Sequence, residues 1–435
     1  MEVLHPLAPN LHKKGTELGE RSLTYHYFRN TSKAMVIISH SDLDGVTSAL
    51  NMLYGAFIMG FDAYVYLERS STEETSTELA VYAYNELKKH LHTYNEVEIA
   101  FTDRMFMNPQ EFLKNVSLEH TLGKTLKFTW YDHHEGNFRS REELNNKFGI
   151  PGIDVFEDYA VITDIDHCGA TISNEMMNKR ILNSDIDFDE INERGEYYPN
   201  LEDSLGEFSR WVNLWDTFKW KKCYNPEDSE YKLGKAMGSI DKMYDNEKDV
   251  FFELKNILDT KKSLHNRETR NWIYDNYDKY EKLLTEVYKS VIDSDMSIRK
   301  VYTDSQENKT YNFAILPVEW KYSSSIKEMF IEEYGDVDCV VTFNKFGGTV
   351  YTKDGYREFP SYNLAEYIGT MYGLTGGGHP NAAGFKIHKE FPDFYKDDID
   401  RCLDINLNRI KLALDEFMFE LIEGGLHANF REIKN

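Results

Sequence analysis

Three short strand-like runs in the first third of the chain stop abruptly at acids or histidines. Ala34-Met35-Val36-Ile37-Ile38 runs into Ser39-His40-Ser41-Asp42-Leu43-Asp44-Gly45. Residues 97–101 run into Thr102-Asp103, and residues 127–131 into Asp132-His133-His134. The first run, apolar throughout, is the signature of a strand covered on both faces. Helical patterns separate them. Val46, Ala49, Leu50, Leu53, Tyr54 and Phe57 recur at spacings of three and four, and a second helix is predicted over 76–90, after a further strand at 63–67. Strands alternating with helices predict an α/β fold with a mostly parallel sheet. In such a sheet ligands gather outside the carboxyl ends of the strands, and three strand ends here carry ligand-type residues.

Farther along, helices are predicted over 170–182 and 203–217, with an acidic loop, 184–205, between them. Residues 240–295 read as helical and polar. A second α/β pattern begins near Ile298, with strands at 312–316, 338–343 and 349–352, a helix at 363–372, and a long amphipathic helix at 396–422. The expected organisation is a first domain over 1–225, a helical connector over 226–297, and a smaller domain with a C-terminal helix over 298–435. No stretch of 18 apolar residues occurs, so no transmembrane helix is expected, and the first twenty residues lack a signal-peptide core. The four cysteines, Cys168, Cys223, Cys339 and Cys402, lie far apart, which fits a reducing cytoplasm. A net charge of −24 disfavours a protein that coats long duplexes. It leaves room for an enzyme that takes short phosphodiesters at a metal-filled site, where the ions supply the positive charge.

Five features carry chemistry. In His40-Ser41-Asp42-Leu43-Asp44-Gly45, extended residues two apart point the same way, so alternate side chains can face one ion. Carboxylates with imidazole suit Mn²⁺, Fe²⁺ or Co²⁺ better than Ca²⁺. The same string also reads as a capped helix start, and Asp42 or Asp44 can both cap and bind. Asp103 stands alone at a strand end. Asp132-His133-His134 sets an adjacent histidine pair beside an acid, in a chain with only 14 histidines. Asp216 lies among aromatics at a helix end. In Gly376-Gly377-Gly378-His379, successive glycines expose backbone N–H groups to which a phosphate can come close, and the histidine adds a donor.

Taken in order, these motifs resemble those of the DHH/DHHA1 phosphoesterases, over about residues 34–220 and 300–390. His-Ser-Asp-Leu-Asp-Gly and Trp-Asp-Thr-Phe-Lys-Trp look most like the oligoribonuclease, or nano-RNase, branch. The resemblance implies two α/β domains facing each other across a cleft and a site for two Mn²⁺ ions, with Mg²⁺ or Co²⁺ as substitutes. It implies that His40, Asp42 and Asp103 hold one ion and that Asp44, Asp103, His133 and Asp216 hold the other, with Asp103 bridging. His134 would face the scissile phosphate and Asp132 would support His133 or the metals. Other members place the first histidine two residues earlier, so His40 must reach its ion over a shorter spacing. Asp164 and Asp166 rival Asp216 as the last acid. Asp216 is preferred because Cys168-Gly169-Ala170-Thr171 resembles the small-residue helix start that precedes the family's last ligand. Gly376, Gly377, Gly378 and His379, with Lys353 and Arg357, would bind the substrate. The implied activity is hydrolysis of short RNA or DNA to nucleoside 5′-monophosphates. Cyclic or signalling dinucleotides are the alternative substrates, and a degenerate scaffold is the non-enzymatic alternative. Partners are then oligonucleotides or dinucleotides and not membranes, and a homodimer stays open.

Two further features are read as structural. Asp185, Asp187, Asp189 and Glu196 mimic a calcium loop, but Glu190 stands where its turn needs glycine. Trp211, Trp215, Phe218 and Trp220 read as helix packing rather than as a platform for bases.

Overall fold

The computed structural model describes residues 23–28, 30–68, 73–91, 93–104, 125–134, 158–162, 166–184, 205–244, 247–261, 267–304, 308–352, 361–374, 376–379, 382–388, 398–422 and 428–434. The fold is α/β, and the chain divides into two compact units, Met1–Asp278 and Lys279–Asn435.

In the first unit, strands β1 (Tyr25–Tyr27), β2 (Lys33–His40), β3 (Asp62–Glu68), β4 (Glu96–Thr102), β5 (Thr125–Asp132) and β6 (Asp158–Val161) form one sheet in the order β1-β3-β2-β4-β5-β6. All neighbours are parallel except β1 and β3. The apolar run of β2 is unbroken because both of its faces are covered. Met35 and Ile37 of β2 enter one core, while Ala34, Val36 and Ile38 enter the other. In β3, Ala63, Val65 and Leu67 divide from Tyr64 and Tyr66 in the same way. The first core is closed by helices α1 (Leu43–Ile58), α3 (Gly169–Leu182) and α4 (Gly206–Asp216). The second is closed by α2 (Glu73–Leu91), through Leu79, Ala80, Ala83, Tyr84 and Leu87.

A short helix, α5 (Lys219–Cys223), follows α4. Helices α6 (Ser229–Met243) and α7 (Glu247–Lys261), from the stretch read as a connector, send Ala236, Met237, Ile240, Val250, Phe251 and Leu254 into the first core. The division between units falls inside α8 (Arg267–Ile292).

The second unit holds β7 (Ile298–Asp304), β8 (Lys309–Pro317), helix α9 (Ser323–Tyr334), β9 (Cys339–Phe343), β10 (Gly347–Thr352), α10 (Ser361–Met371), β11 (Gly376–His379), β12 (Ala382–Lys386), α11 (Ile399–Leu421) and β13 (Ala428–Lys434). The sheet order is β11-β12-β10-β9-β8-β7-β13, and only β8 and β9 are parallel neighbours. Three features differ from the sequence reading. The tail does not end with its helix, because β13 adds an antiparallel edge strand along the whole of β7. Strands β1 and β6 flank the parallel core. The glycine run is an edge strand paired with β12 rather than a loop. Gly376 has a packing reason to be glycine: a Cβ there would sit 1.9 Å from the Ala365 carbonyl oxygen of α10. No helix among the described residues is long and apolar enough to cross a membrane.

Candidate metal centre

The carboxyl ends of β2, β4 and β5 lie side by side, with Ser39 opposite Thr102 and Thr102 opposite Tyr131 in the registers. The residues that follow each strand are therefore brought to one sheet edge. At β2 the chain turns directly into α1. Asp42 caps that helix, its Oδ1 accepting the Gly45 N–H at 2.9 Å. Gly45 is required by close approach, because a Cβ there would lie 2.2 Å from the His40 carbonyl oxygen. Capping uses one oxygen of Asp42 and leaves the other, Oδ2, 2.7 Å from His40 Nδ1.

Asp44, in the first turn of α1, is held from elsewhere. Its two oxygens accept the N–H groups of Gly169 and Ala170, at 2.8 and 2.7 Å. Those amides begin α3, whose positive dipole end favours a carboxylate. The helix start is itself fastened. Cys168 N–H donates to Thr171 Oγ1, and Asn51 Nδ2 donates to the Ala170 carbonyl.

Asp103 has φ 51°, a left-handed conformation. Its N–H donates to the Tyr131 carbonyl at 2.9 Å, which fixes the turn. The side chain is buried, and neither carboxylate oxygen accepts a hydrogen bond from any described residue. A Cβ on Gly169 would come within 2.7 Å of Asp103 Cβ, so glycine at 169 makes the room that Asp103 occupies.

After β5, Asp132 Oδ1 accepts both the His133 backbone N–H, at 2.9 Å, and the His134 ring Nδ1–H, at 2.7 Å. His133 Nε2 then lies 3.3 Å from Asp103 Oδ1, 3.4 Å from Asp44 Oδ2 and 3.6 Å from Asp216 Oδ2. Asp216 is the last residue of α4.

Three sets of donor atoms are close enough to share an ion, each set within 4.8 Å: His40, Asp42 and Asp103; Asp44, His133 and Asp216; and Asp103, His133 and His134. Asp166 is outside them, with its carboxylate on Lys219 Nζ at 2.6 Å. Asp164, Lys353, Arg357, Asp185, Asp187, Asp189 and Glu196 lie outside the described residues, as does most of the acidic loop 184–205. Gly376 and Gly377 lie on β11 in the second unit with Gly378 and His379.

The electrostatics follow from burial and from this crowding of acids. Burial, and then the charges of Asp44, Asp42, Asp132 and Asp216, raise the Asp103 carboxyl well above the usual carboxylate range. Asp216 is raised by burial and then by Asp44 and Asp42. Burial alone would also raise Asp42, but the charge and hydrogen bond of His40 outweigh it and hold Asp42 low. Burial works against a charged His134, yet the hydrogen bond and charge of Asp132 push its imidazole up to about 9.

A divalent cation fits this donor set. Oxygen and imidazole nitrogen together suit Mn²⁺ or another borderline divalent ion. Asp103 supplies a buried carboxylate whose oxygens no described residue satisfies, an arrangement that is costly until a cation meets it.

Sequence reasoning missed Arg104. Its guanidinium is fully buried, with Nη1 donating to the carbonyls of Ser39 and Glu68 at 3.3 and 3.1 Å, and Nη2 donating to Glu68 Oε2 at 3.4 Å. Its own carbonyl accepts Trp130 Nε1–H at 3.0 Å. It thus ties the ends of β2, β3 and β5 around Asp103. The available signal was a cation directly after a strand-terminal acid, a position that nearly always reads as solvated surface.

No protein-family model and no curated protein sequence matches the chain. Its structure is similar to a solved structure described as a DHH domain of a member of the s1p family of ribosomal proteins, at 15% identity over 86% of each chain, TM-score 0.48. It is also similar to RecJ from Thermus thermophilus in complex with Mn²⁺, at 11% identity over 87% of this chain and 52% of that one, TM-score 0.41. CDC45 from Entamoeba histolytica is similar at 12% identity over 86% and 95% of the two chains, TM-score 0.36. None of these likenesses carries over to individual residues.

Proposed function

We propose that this chain is a phosphodiesterase of the DHH type that works with two divalent metal ions, Mn²⁺ foremost, on short oligonucleotides. The observation that supports this best is Asp103. Its unsatisfied carboxylate stands between two donor sets, His40 with Asp42 on one side and His133 with Asp44 and Asp216 on the other. In this reading Asp103 would be shared by the two ions, and the ions, when bound, would supply an activated water and stabilise the charge that develops at the phosphodiester.

The chain's own residues prepare that chemistry. Asp132 orients His134 through Nδ1 and keeps the imidazole protonated at neutral pH, which leaves its Nε2–H to donate to a phosphate oxygen. The backbone bond from His133 to the same carboxylate sets where the second histidine turns. The start of α3 fixes Asp44 with two amides, so its oxygens need no rearrangement when cations bind. Edge strand Gly376–His379, with Lys353 and Arg357, takes the substrate's terminal nucleotide in this reading.

The test is incubation with Mn²⁺ of end-labelled RNA and DNA, from dimers to long strands, alongside cyclic dinucleotides and a chelator control. Rapid loss of dimers to nucleoside 5′-monophosphates with long strands spared supports the nano-RNase reading. Cleavage of cyclic substrates alone moves the substrate to signalling dinucleotides. No cleavage of any phosphodiester with Mn²⁺, Mg²⁺ or Co²⁺ removes the enzymatic reading.

A further inference from the structure

Two residues beyond Asp216, Phe218 is 55% exposed and has φ 56°. This is the left-handed position that follows a helix, where glycine or asparagine is the usual occupant. A bulky side chain there is a steric outlier, and such strain collects at ligand sites. Neither packing nor turn chemistry selects phenylalanine at an exposed left-handed position.

The conformation is nevertheless firmly held. Phe218 N–H donates to the Trp215 carbonyl at 3.0 Å, and the Phe218 carbonyl accepts the N–H groups of Lys221 and Lys222, at 3.1 and 3.0 Å. The flanking tryptophans anchor the turn from both sides. A Cβ on Gly238 would lie 2.3 Å from Trp215 Nε1, and one on Gly234 would lie 2.3 Å from Trp220 Cβ, so both indoles are seated on the glycine face of α6. Of the four aromatics in this stretch, Trp211, Trp215 and Trp220 pack, and Phe218 alone stands out into solvent.

Its surroundings suit a nucleotide. Lys221 and Lys222 set positive charge beside Phe218 in a chain whose net charge is −24, while Lys219 pairs with Asp166. Lys222 Nζ lies 5.9 Å from the Phe218 ring centroid. Two residues of chain span at most about 7 Å, so the turn that carries Phe218 begins at the donor set that includes Asp216.

From this placement we infer that the Phe218 ring is a stacking platform for a nucleobase of the substrate, an inference that rests on the phosphodiesterase reading. The base belongs to the nucleotide whose phosphate meets the Asp216 donor set. Stacking reads a π face that every base has, so the subsite accepts purines and pyrimidines alike.

The test compares binding of AMP, UMP and base-free ribose 5-phosphate to the full chain with Mn²⁺ present, by calorimetry. The wild type should bind each nucleotide between about fivefold and a hundredfold more tightly than ribose 5-phosphate, the range of base–aromatic stacking. Phe218→Gly should bring that ratio below about twofold, and Phe218→Tyr should restore it. The glycine variant should melt no lower than the wild type, since glycine relieves the backbone strain; this separates loss of the platform from loss of the fold. A wild-type ratio near one, or a ratio unchanged in Phe218→Gly, overturns the inference. Hydrolysis of a dinucleotide is measured on the same preparations. Hydrolysis with an unchanged ratio removes the platform and leaves the enzyme, whereas a collapsing ratio without hydrolysis removes the enzyme and leaves the platform.

Discussion

Gly169→Ala tests whether the space around Asp103 is built for an ion. The added Cβ would stand 2.7 Å from Asp103 Cβ and 3.0 Å from its Oδ1. Carbon atoms settle at about 3.5–4.0 Å, so the two must separate by roughly 0.8 Å or more. The helix start cannot yield freely, because its amides hold Asp44 and its carbonyl is bound to Asn51. The Asp103 turn is held through Tyr131, so relieving the Cβ contact has to strain that turn and carry the carboxylate out of place with it. Metal sites tolerate about 0.5 Å of misplacement. Changes beside the ligands weaken metal affinity by about 10–100-fold. At free Mn²⁺ of about 100 times its Kd, the wild type should gain about 2.7 kcal/mol. A 30-fold weaker variant should gain only about 0.9 kcal/mol at the same concentration. In a unit of this size each kcal/mol moves Tm by roughly 2–4 °C. A metal-induced rise of about 5–11 °C should therefore shrink to about 2–4 °C, read by calorimetry with and without chelator. The metal-free variant should also be less stable by about 1–3 kcal/mol from overpacking. A variant with lowered metal-free Tm but the full wild-type rise would refute the claim that Asp103 and Gly169 shape an ion site.

Asp103→Asn should act in opposite senses on fold and function. With chelator present it should melt a few degrees above the wild type, because an unsatisfied buried charge is gone, while the Mn²⁺-induced rise and all turnover disappear; a lower chelated Tm would contradict this. Arg104→Met removes the guanidinium that ties Ser39, Glu68 and the Asp103 turn together. It should cost about 2–4 kcal/mol and weaken Mn²⁺ binding, with Arg104→Lys recovering only part of both by denaturant melts and calorimetry, because one ammonium cannot copy the fork. Gly238→Ala sets a methyl where the Trp215 indole lies. It should lower Tm and shift the tryptophan emission, and an unchanged spectrum with unchanged Tm would show that the indole is not seated there.

Much of the first unit is legible in the sequence because burial leaves short, mainly apolar runs rich in β-branched and aromatic residues. The strand at 33–40 is the clearest, and those at 62–68, 96–102 and 125–132 show the same enrichment around isolated polar positions. The strand ends bring their acids and histidines to one edge because a parallel sheet points every strand the same way. What is not legible depends on contacts between distant segments. The amides that hold Asp44 come from 125 residues farther along, and nothing near Asp44 marks them. Gly169 reads as a helix start, whereas its smallness is demanded by Asp103. β1 has three residues, β6 has four, and β13 follows a helix; each is an edge strand, paired on one side only. Gly376 to His379 read as a phosphate loop because glycine runs usually do. The close carbonyl of Ala365 gives Gly376 a second reason to lack a side chain.

The acids of the centre differ in how their charge is met, and that difference carries the chemistry. Asp42 has a helix-capping amide and an imidazole, Asp44 has two amides at a helix start, and Asp132 has a backbone N–H and a ring N–H. Each is a charge that the protein has already answered with fixed dipoles, so each can keep its place whether or not a cation is present. Asp103 has no hydrogen-bond donor among the described residues, although the strand ends, Arg104 and Tyr131 hold its backbone firmly. A residue held so closely and left so unsatisfied is stable only in the company of positive charge. A chain with a net charge of −24 has little of that to spare from its side chains. Under the proposed function, cations would be the missing half of Asp103's electrostatics, and a phosphodiester would come to them before the surrounding protein surface.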